Sequence, residues 1–99
     1  MVYNETVIVE EAAHIEWLSW MQNEYIPLMM ATGCFSGHTI LKVVDSPNEG
    51  VTYCVQYFTD SIQNYQQFAN VYQPDLFAIH QQQFANQFVI FTTLMQTIN

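Results

Sequence analysis

Ninety-nine residues with 51% hydrophobic and 15% aromatic content suffice for one domain, spanning 1–99, and are too apolar to stay unfolded. Asp and Glu number 9 against a single Lys or Arg, Lys42, giving a formal charge of −8. That balance excludes nucleic-acid binding and docking on anionic lipid, both of which need clustered Lys and Arg.

The chain opens with "MVYNETVIVEE", which has neither the basic start nor the apolar core of a signal peptide. No apolar run approaches the roughly 20 residues needed to span a bilayer, so the cytoplasm is the expected compartment. Val2–Val9, "VYNETVIV", is β-branched and apolar and predicts a strand. Residues 11–30 predict a helix with His14, Trp17, Leu18, Trp20, Met21, Glu24, Tyr25 and Leu28 on one broad face. Pro27 cannot donate to the carbonyl four residues back and disfavours helix at Ile26, so a kink or restart is expected there. The helix should end at "ATG", with Gly33 as its cap.

Residues 35–44 and 51–59 predict two strands joined by the turn residues of "DSPNEG". Asp60 or Ser61 can cap a second helix from Ile62, interrupted at Pro74 and resuming through "DLFAIHQQQFA". Residues 88–97 form the last strand. The βαββαβ order predicts an α+β, ferredoxin-like sandwich: a four-stranded antiparallel sheet with two helices on one face.

Sheets covered on one side alternate apolar and polar residues, and these strands do not alternate cleanly. Phe88, Ile90 and Leu94 share one face of the last strand while Val89, Phe91 and Met95 share the other; Cys54 and Phe58 back the face of Val51, Tyr53, Val55 and Tyr57. Both faces ask for cover and the helices supply one. A second copy packed sheet against sheet supplies the other, so a homodimer is expected. In the predicted hairpin register Cys54 falls opposite Leu41, seven residues from Cys34, which is too far for a disulfide; both thiols should be free.

Candidate chemistry gathers on the first helix and the hairpin. Trp17, Trp20 and Tyr25, with Met21, Met29 and Met30, form either a core stripe or the wall of an aromatic pocket. Glu24 on that face would have a carboxyl suited to proton transfer if it stayed among the tryptophans, and would be an ordinary surface carboxylate if the bend at Pro27 turned it to water. His38 and Tyr57 should be cross-strand neighbours beside Lys42 and Tyr53, serving a ligand or a dimer contact. Thr39 and Gln56 form a second pair on the opposite face. Glu10, Glu11 and His14 resemble half of a carboxylate-bridged metal site, but the second helix has no matching Glu and His. His80 stands alone among glutamines, a core or surface histidine before it is a haem ligand. No metal and no cofactor are expected.

Four segments, "YNETVIVE", "EWLSWMQNEYIPLMMATGCF", "TYCVQYF" and "FANQFVIFTTLMQTI", resemble in order the bacterial family called domain of unknown function 4286. The resemblance implies membership of the dimeric α/β-barrel superfamily, in which two ferredoxin-like subunits close their sheets into a barrel. That superfamily includes quinone-forming antibiotic-biosynthesis monooxygenases, haem-degrading enzymes and stress-responsive barrels, so the resemblance implies no single reaction. Where the family tends to read Glu-His-Ile-Pro, this chain has Glu24, Tyr25, Ile26 and Pro27, which removes a histidine-based chemistry from that position. The leading expectation is a homodimer binding a small hydrophobic or aromatic molecule between helices and sheet at Trp17, Trp20, Glu24, Tyr25, His38 and Tyr57. The alternatives are a cofactor-independent monooxygenase or isomerase on a phenolic or polycyclic substrate, and a non-catalytic structural or regulatory dimer.

Overall fold

The computed structural model describes residues 1–98. Strand β1 (Val2–Val9) leads into a first helical arm built of α1 (His14–Trp20), a π-helical turn (Met21–Tyr25) and α2 (Ile26–Ala31). Strands β2 (Gly37–Lys42) and β3 (Val51–Phe58) follow as a hairpin. A second arm repeats the first: α3 (Ile62–Gln67), a π turn (Phe68–Tyr72) and α4 (Gln73–Gln83), before β4 (Phe88–Met95). The strands form one antiparallel sheet in the order β2-β3-β1-β4, the ferredoxin-like arrangement.

The hairpin has the expected register, with His38 opposite Tyr57, Thr39 opposite Gln56, Leu41 opposite Cys54 and Lys42 opposite Tyr53. Cys34 and Cys54 are free thiols. Gly50 closes the hairpin at φ +85°, and a Cβ there would come within 2.4 Å of the Val9 carbonyl oxygen. Only glycine tolerates both that backbone and that approach. Ser61 caps α3, its hydroxyl accepting from the Asn64 amide at 3.1 Å. At the end of α2, Gly33 takes φ +75° and its amide donates to the Met30 carbonyl at 3.1 Å.

The expected restart at Pro27 takes the form of a π turn followed by α2, which begins at Ile26 without leaving helical geometry. Ile26 keeps helical angles, φ −59° and ψ −43°, and its amide donates five residues back to the Met21 carbonyl. The wider π turn takes up the space the proline ring needs, so the arm stays helical through the restart. The same device precedes Pro74, where the Gln73 amide donates to the Phe68 carbonyl. Both arms carry a tyrosine and a proline at matching places, Tyr25 with Pro27 and Tyr72 with Pro74, each tyrosine ending a π turn and each proline two residues on.

Strand parity sorts the side chains. Tyr3, Glu5, Val7 and Val9 of β1 and Val51, Tyr53, Val55 and Tyr57 of β3 face the helical arms and are buried. Trp17, Met21, Tyr25, Met29, Phe68, Leu76 and His80 come down from the arms to meet them. On the opposite face the side chains of Leu41, Phe58, Val89, Phe91 and Met95 are exposed, Phe91 by 60%. The apolar face that the strand pattern predicts is therefore open in the single chain.

Candidate functional site

The helix–sheet layer is filled with rings in two neighbouring groups. Tyr3, Phe35, Tyr57 and Phe68 pack at centroid separations of 4.9–6.2 Å. Around His80 sit Phe88, stacked at 4.0 Å, Tyr25 at 5.0 Å, Trp20 at 5.5 Å and Trp17 at 6.1 Å. The Trp17 Nε1–H donates to His80 Nε2 at 3.0 Å, which fixes the imidazole as neutral with its proton on Nδ1. Burial favours that neutral form and pushes the His80 pKa down to about 4.

Between these groups lies a charge-bearing residue that sequence reading did not single out. Glu5 stands on the inward face of β1, completely buried. Burial is the main reason its pKa is pushed up to about 7, against a smaller opposing effect of the hydrogen bond from Tyr3. The Tyr3 hydroxyl donates to Glu5 Oε2 at 3.1 Å, and Gln73 Nε2 of the second arm donates to the Tyr3 hydroxyl at 3.0 Å. Tyr57, opposite Tyr3, is a diagonal neighbour of Glu5 across β1 and β3; at that spacing Cα atoms are about 7–8 Å apart, within reach of long side chains. Tyr25 descends from the end of the first π turn. All three tyrosines are held far above the usual phenol pKa, by burial first and by the charge Glu5 carries when ionised. Among the described residues, Glu5 Oε1, Tyr25 Oη and Tyr57 Oη are buried with no hydrogen-bond partner.

Beside this layer an open groove runs between the first arm and the edge strand β2. Its larger part, about 560 Å³, is lined by Gln22, Ile26, Pro27, Met30, His38, Thr39 and Ile40. A smaller part of about 320 Å³ adjoins it through Gln22 and Ile40 and reaches Lys42 and His14, whose Nδ1 lies 2.9 Å from the Tyr53 hydroxyl. Its lining is mainly apolar, as small-molecule sites are, with a few polar groups to orient a ligand.

The six residues expected from sequence therefore separate. Tyr25 and Tyr57 lie near enough to Glu5 to feel its charge when it is ionised; Trp17 and Trp20 pack with Tyr25 around His80; His38 lines the groove. Glu24 lies apart from them, exposed on the surface, so of the two settings open to its carboxyl it has the ordinary surface one. The π turn is the cause: each of its residues rotates through less than the roughly 100° of an α-helix. Met21 and Tyr25 both stay inward, and Glu24 swings out to water. The signal for Glu5 was available in "VYNETVIV", where it is the one carboxylate on the parity of Tyr3, Val7 and Val9. Among the described residues no group of three His, Cys, Asp or Glu side chains is placed to hold a metal ion.

The family profile "Domain of unknown function (DUF4286)" matches residues 1–98. The chain belongs to this family. No curated protein matches it. Solved structures do share its fold. An ethyl tert-butyl ether d (EthD) family protein of Bacillus halodurans superposes with a TM-score of 0.65 at 15% identity, covering 97% of this chain and 99% of the other. The protein At3g17210 of Arabidopsis thaliana gives a TM-score of 0.66 at 12% identity over 100% of this chain and 99% of its own. A putative antibiotic biosynthesis monooxygenase of Deinococcus radiodurans reaches 0.49 at 18% identity over 100% and 97%. For the Bacillus and Arabidopsis proteins the likeness is one of fold alone, and it assigns no reaction to this DUF4286 chain.

Proposed function

We propose that the DUF4286 chain is a cytoplasmic homodimer that binds a small hydrophobic or aromatic molecule between its helices and its sheet. The observation that carries this reading is the groove of about 560 Å³ beside β2, where Ile26, Pro27, Met30 and Ile40 offer apolar contact and His38 and Gln22 offer polar ends. The dimer is supported by the open face of the sheet, where Leu41, Phe58, Val89, Phe91 and Met95 would be covered by the same face of a second copy. Free Cys34 and Cys54 suit a reducing compartment. A second reading, an isomerase or cofactor-independent monooxygenase on a phenolic substrate, is favoured by His38 in the groove wall, from which an imidazole can exchange protons with a bound ring.

Native mass spectrometry of freshly purified protein tests the binding reading. The expected spectrum is a species at twice the 11.5 kDa chain mass with a reproducible small adduct. Met30→Trp, which fills the groove, should remove the adduct and leave the dimer. A monomer, or an adduct that persists in Met30→Trp, would overturn the respective half of the proposal.

A further inference from the structure

The side chains able to carry positive charge are Lys42 and three histidines, set against nine carboxylates. One of the four, His80, is buried and neutral. The other three, His14, His38 and Lys42, all line the groove beside β2, and no Asp or Glu lines either of its parts. The hollow of about 450 Å³ where the end of β1 meets the start of β4 has the opposite character, with Glu10, Glu11 and Glu49 in its wall. Strand parity produces the sorting. His38, Ile40 and Lys42 pair with Tyr57, Val55 and Tyr53, so they share the side of the sheet that faces the arms. On the edge strand β2 that side borders the groove.

The contact between His14 and Tyr53 adds a second donor beside the lysine. Burial, with the charge of Glu11 in the other hollow's wall, keeps the Tyr53 hydroxyl protonated. A buried hydroxyl proton needs an acceptor, and His14 Nδ1 lies 2.9 Å away. The His14 ring then carries its own proton on Nε2. This end of the groove therefore offers an ammonium and an imidazole N–H, with no carboxylate in its wall to receive them.

We propose that the molecule bound in the β2 groove is a small hydrophobic carboxylate, its head at Lys42 and His14 and its apolar tail on Ile26, Pro27, Met30 and Ile40. The proposal rests on the groove reading above and names the class of ligand. A carboxylate brings only acceptors, which suits a head site made of donors. Its one charge matches the one lysine, whereas a phosphate monoester would bring more charge to a chain already at −8. Lys42 and Ile40 lie two residues apart on one face of β2, about 7 Å along the strand. That spacing fits a ring joined to its carboxylate by a short alkyl chain.

Two probes of nearly the same shape test this on the intact protein: phenylbutyrate, with its ring on the terminal carbon, and its neutral amide, phenylbutyramide. NMR titration of ¹⁵N-labelled protein gives both the dissociation constants and the place of binding. Phenylbutyrate should bind about fivefold or more tightly than phenylbutyramide, and backbone resonances should shift in β2 and around His14. Lys42→Met keeps the stem and removes the charge, so it should erase the preference by weakening phenylbutyrate alone. Lys42→Arg should restore it. Equal binding of the two probes, or a preference that survives Lys42→Met, would overturn the carboxylate assignment and leave the groove reading standing. The assignment also falls alone if neither probe binds while native mass spectrometry still shows an adduct that Met30→Trp removes. If neither probe binds and no adduct is seen, both readings fall. Shifts confined to the hollow of Glu10, Glu11 and Glu49 would place the head elsewhere and overturn the assignment.

Discussion

A tyrosine buried with its hydroxyl unpaired is a burden on the fold, and this sets the sign of two substitutions. Tyr25→Phe and Tyr57→Phe remove oxygens that have no partner among the described residues, so each should leave stability unchanged or raise it by up to about 1 kcal/mol. Tyr3→Phe cuts the link from Gln73 to Glu5 and should lower stability by about 1–2 kcal/mol. Urea titration of the three variants reads the contrast directly; destabilisation by all three would mean that the two hydroxyls are paired in the free protein. Protonation gives a second prediction. Glu5 rises from 4.5 unfolded to about 7 folded, so its contribution is complete below pH 4.5 and is lost as pH rises through about 7. His80 falls from 6.5 to about 4, so its contribution is complete above pH 6.5 and is lost as pH falls through about 4. Between about pH 4.5 and 6.5 the two slopes, ~1.4 kcal/mol per pH unit each, oppose and cancel. Relative to wild type, Glu5→Gln should show stability climbing with pH across that window, and His80→Gln should show it declining. A difference curve that stays flat for either variant would remove that group from the balance. Residue-level legibility was uneven for a physical reason. Tyr25 and Tyr57 sit at positions fixed by helix face and strand parity, so their inward placement was readable; Glu24 takes the surface setting of the two its position allowed because a single wide turn shifts the helical phase, and nothing in "NEYIP" announces that turn except the proline.

The elements carry their own tests. Both arms use a π turn to seat a proline without breaking, and each turn delivers an inward aromatic, Tyr25 in one arm and Phe68 in the other. The strands and the hairpin register were readable because strand parity and turn residues are local signals; the continuity of each arm through its proline was not, because it depends on backbone hydrogen bonds that composition does not encode. Where the hairpin meets β1, Gly50 is held by a positive φ and by the Val9 carbonyl oxygen at 2.4 Å from the place a Cβ would occupy. Gly50→Ala should therefore cost about 2 kcal/mol or more, since strain of this kind is worth about 1–3 kcal/mol even before the clash. Gly33→Ala meets the same φ penalty with no atom within 4 Å, and should cost less. Thermal melts of the pair separate backbone strain from collision; equal losses would show that the approach to Val9 is relieved by movement of the hairpin.

At the scale of the whole molecule, the strand order has a consequence for the connectivity of the chain. Lys42, the only Lys or Arg, is exposed at the end of β2, beside the 43–50 turn. Trypsin therefore has one site, and cutting there separates residues 1–42, which hold β1 and β2, from residues 43–99, which hold β3 and β4. In the sheet the order is β2-β3-β1-β4, so the fragments alternate and each ladder joins one fragment to the other. Neither fragment contains a strand pair of its own. A nicked molecule should consequently stay assembled and migrate as the intact protein on a sizing column, falling into two pieces only in denaturant. Fragments made separately should be unfolded alone and recover the sheet when mixed. Immediate separation of the pieces after cutting would show that the interleaved ladders do not outweigh the entropy of freeing two chains. The single lysine thus makes the protein a natural split pair, divisible at one bond into halves that are meaningless apart.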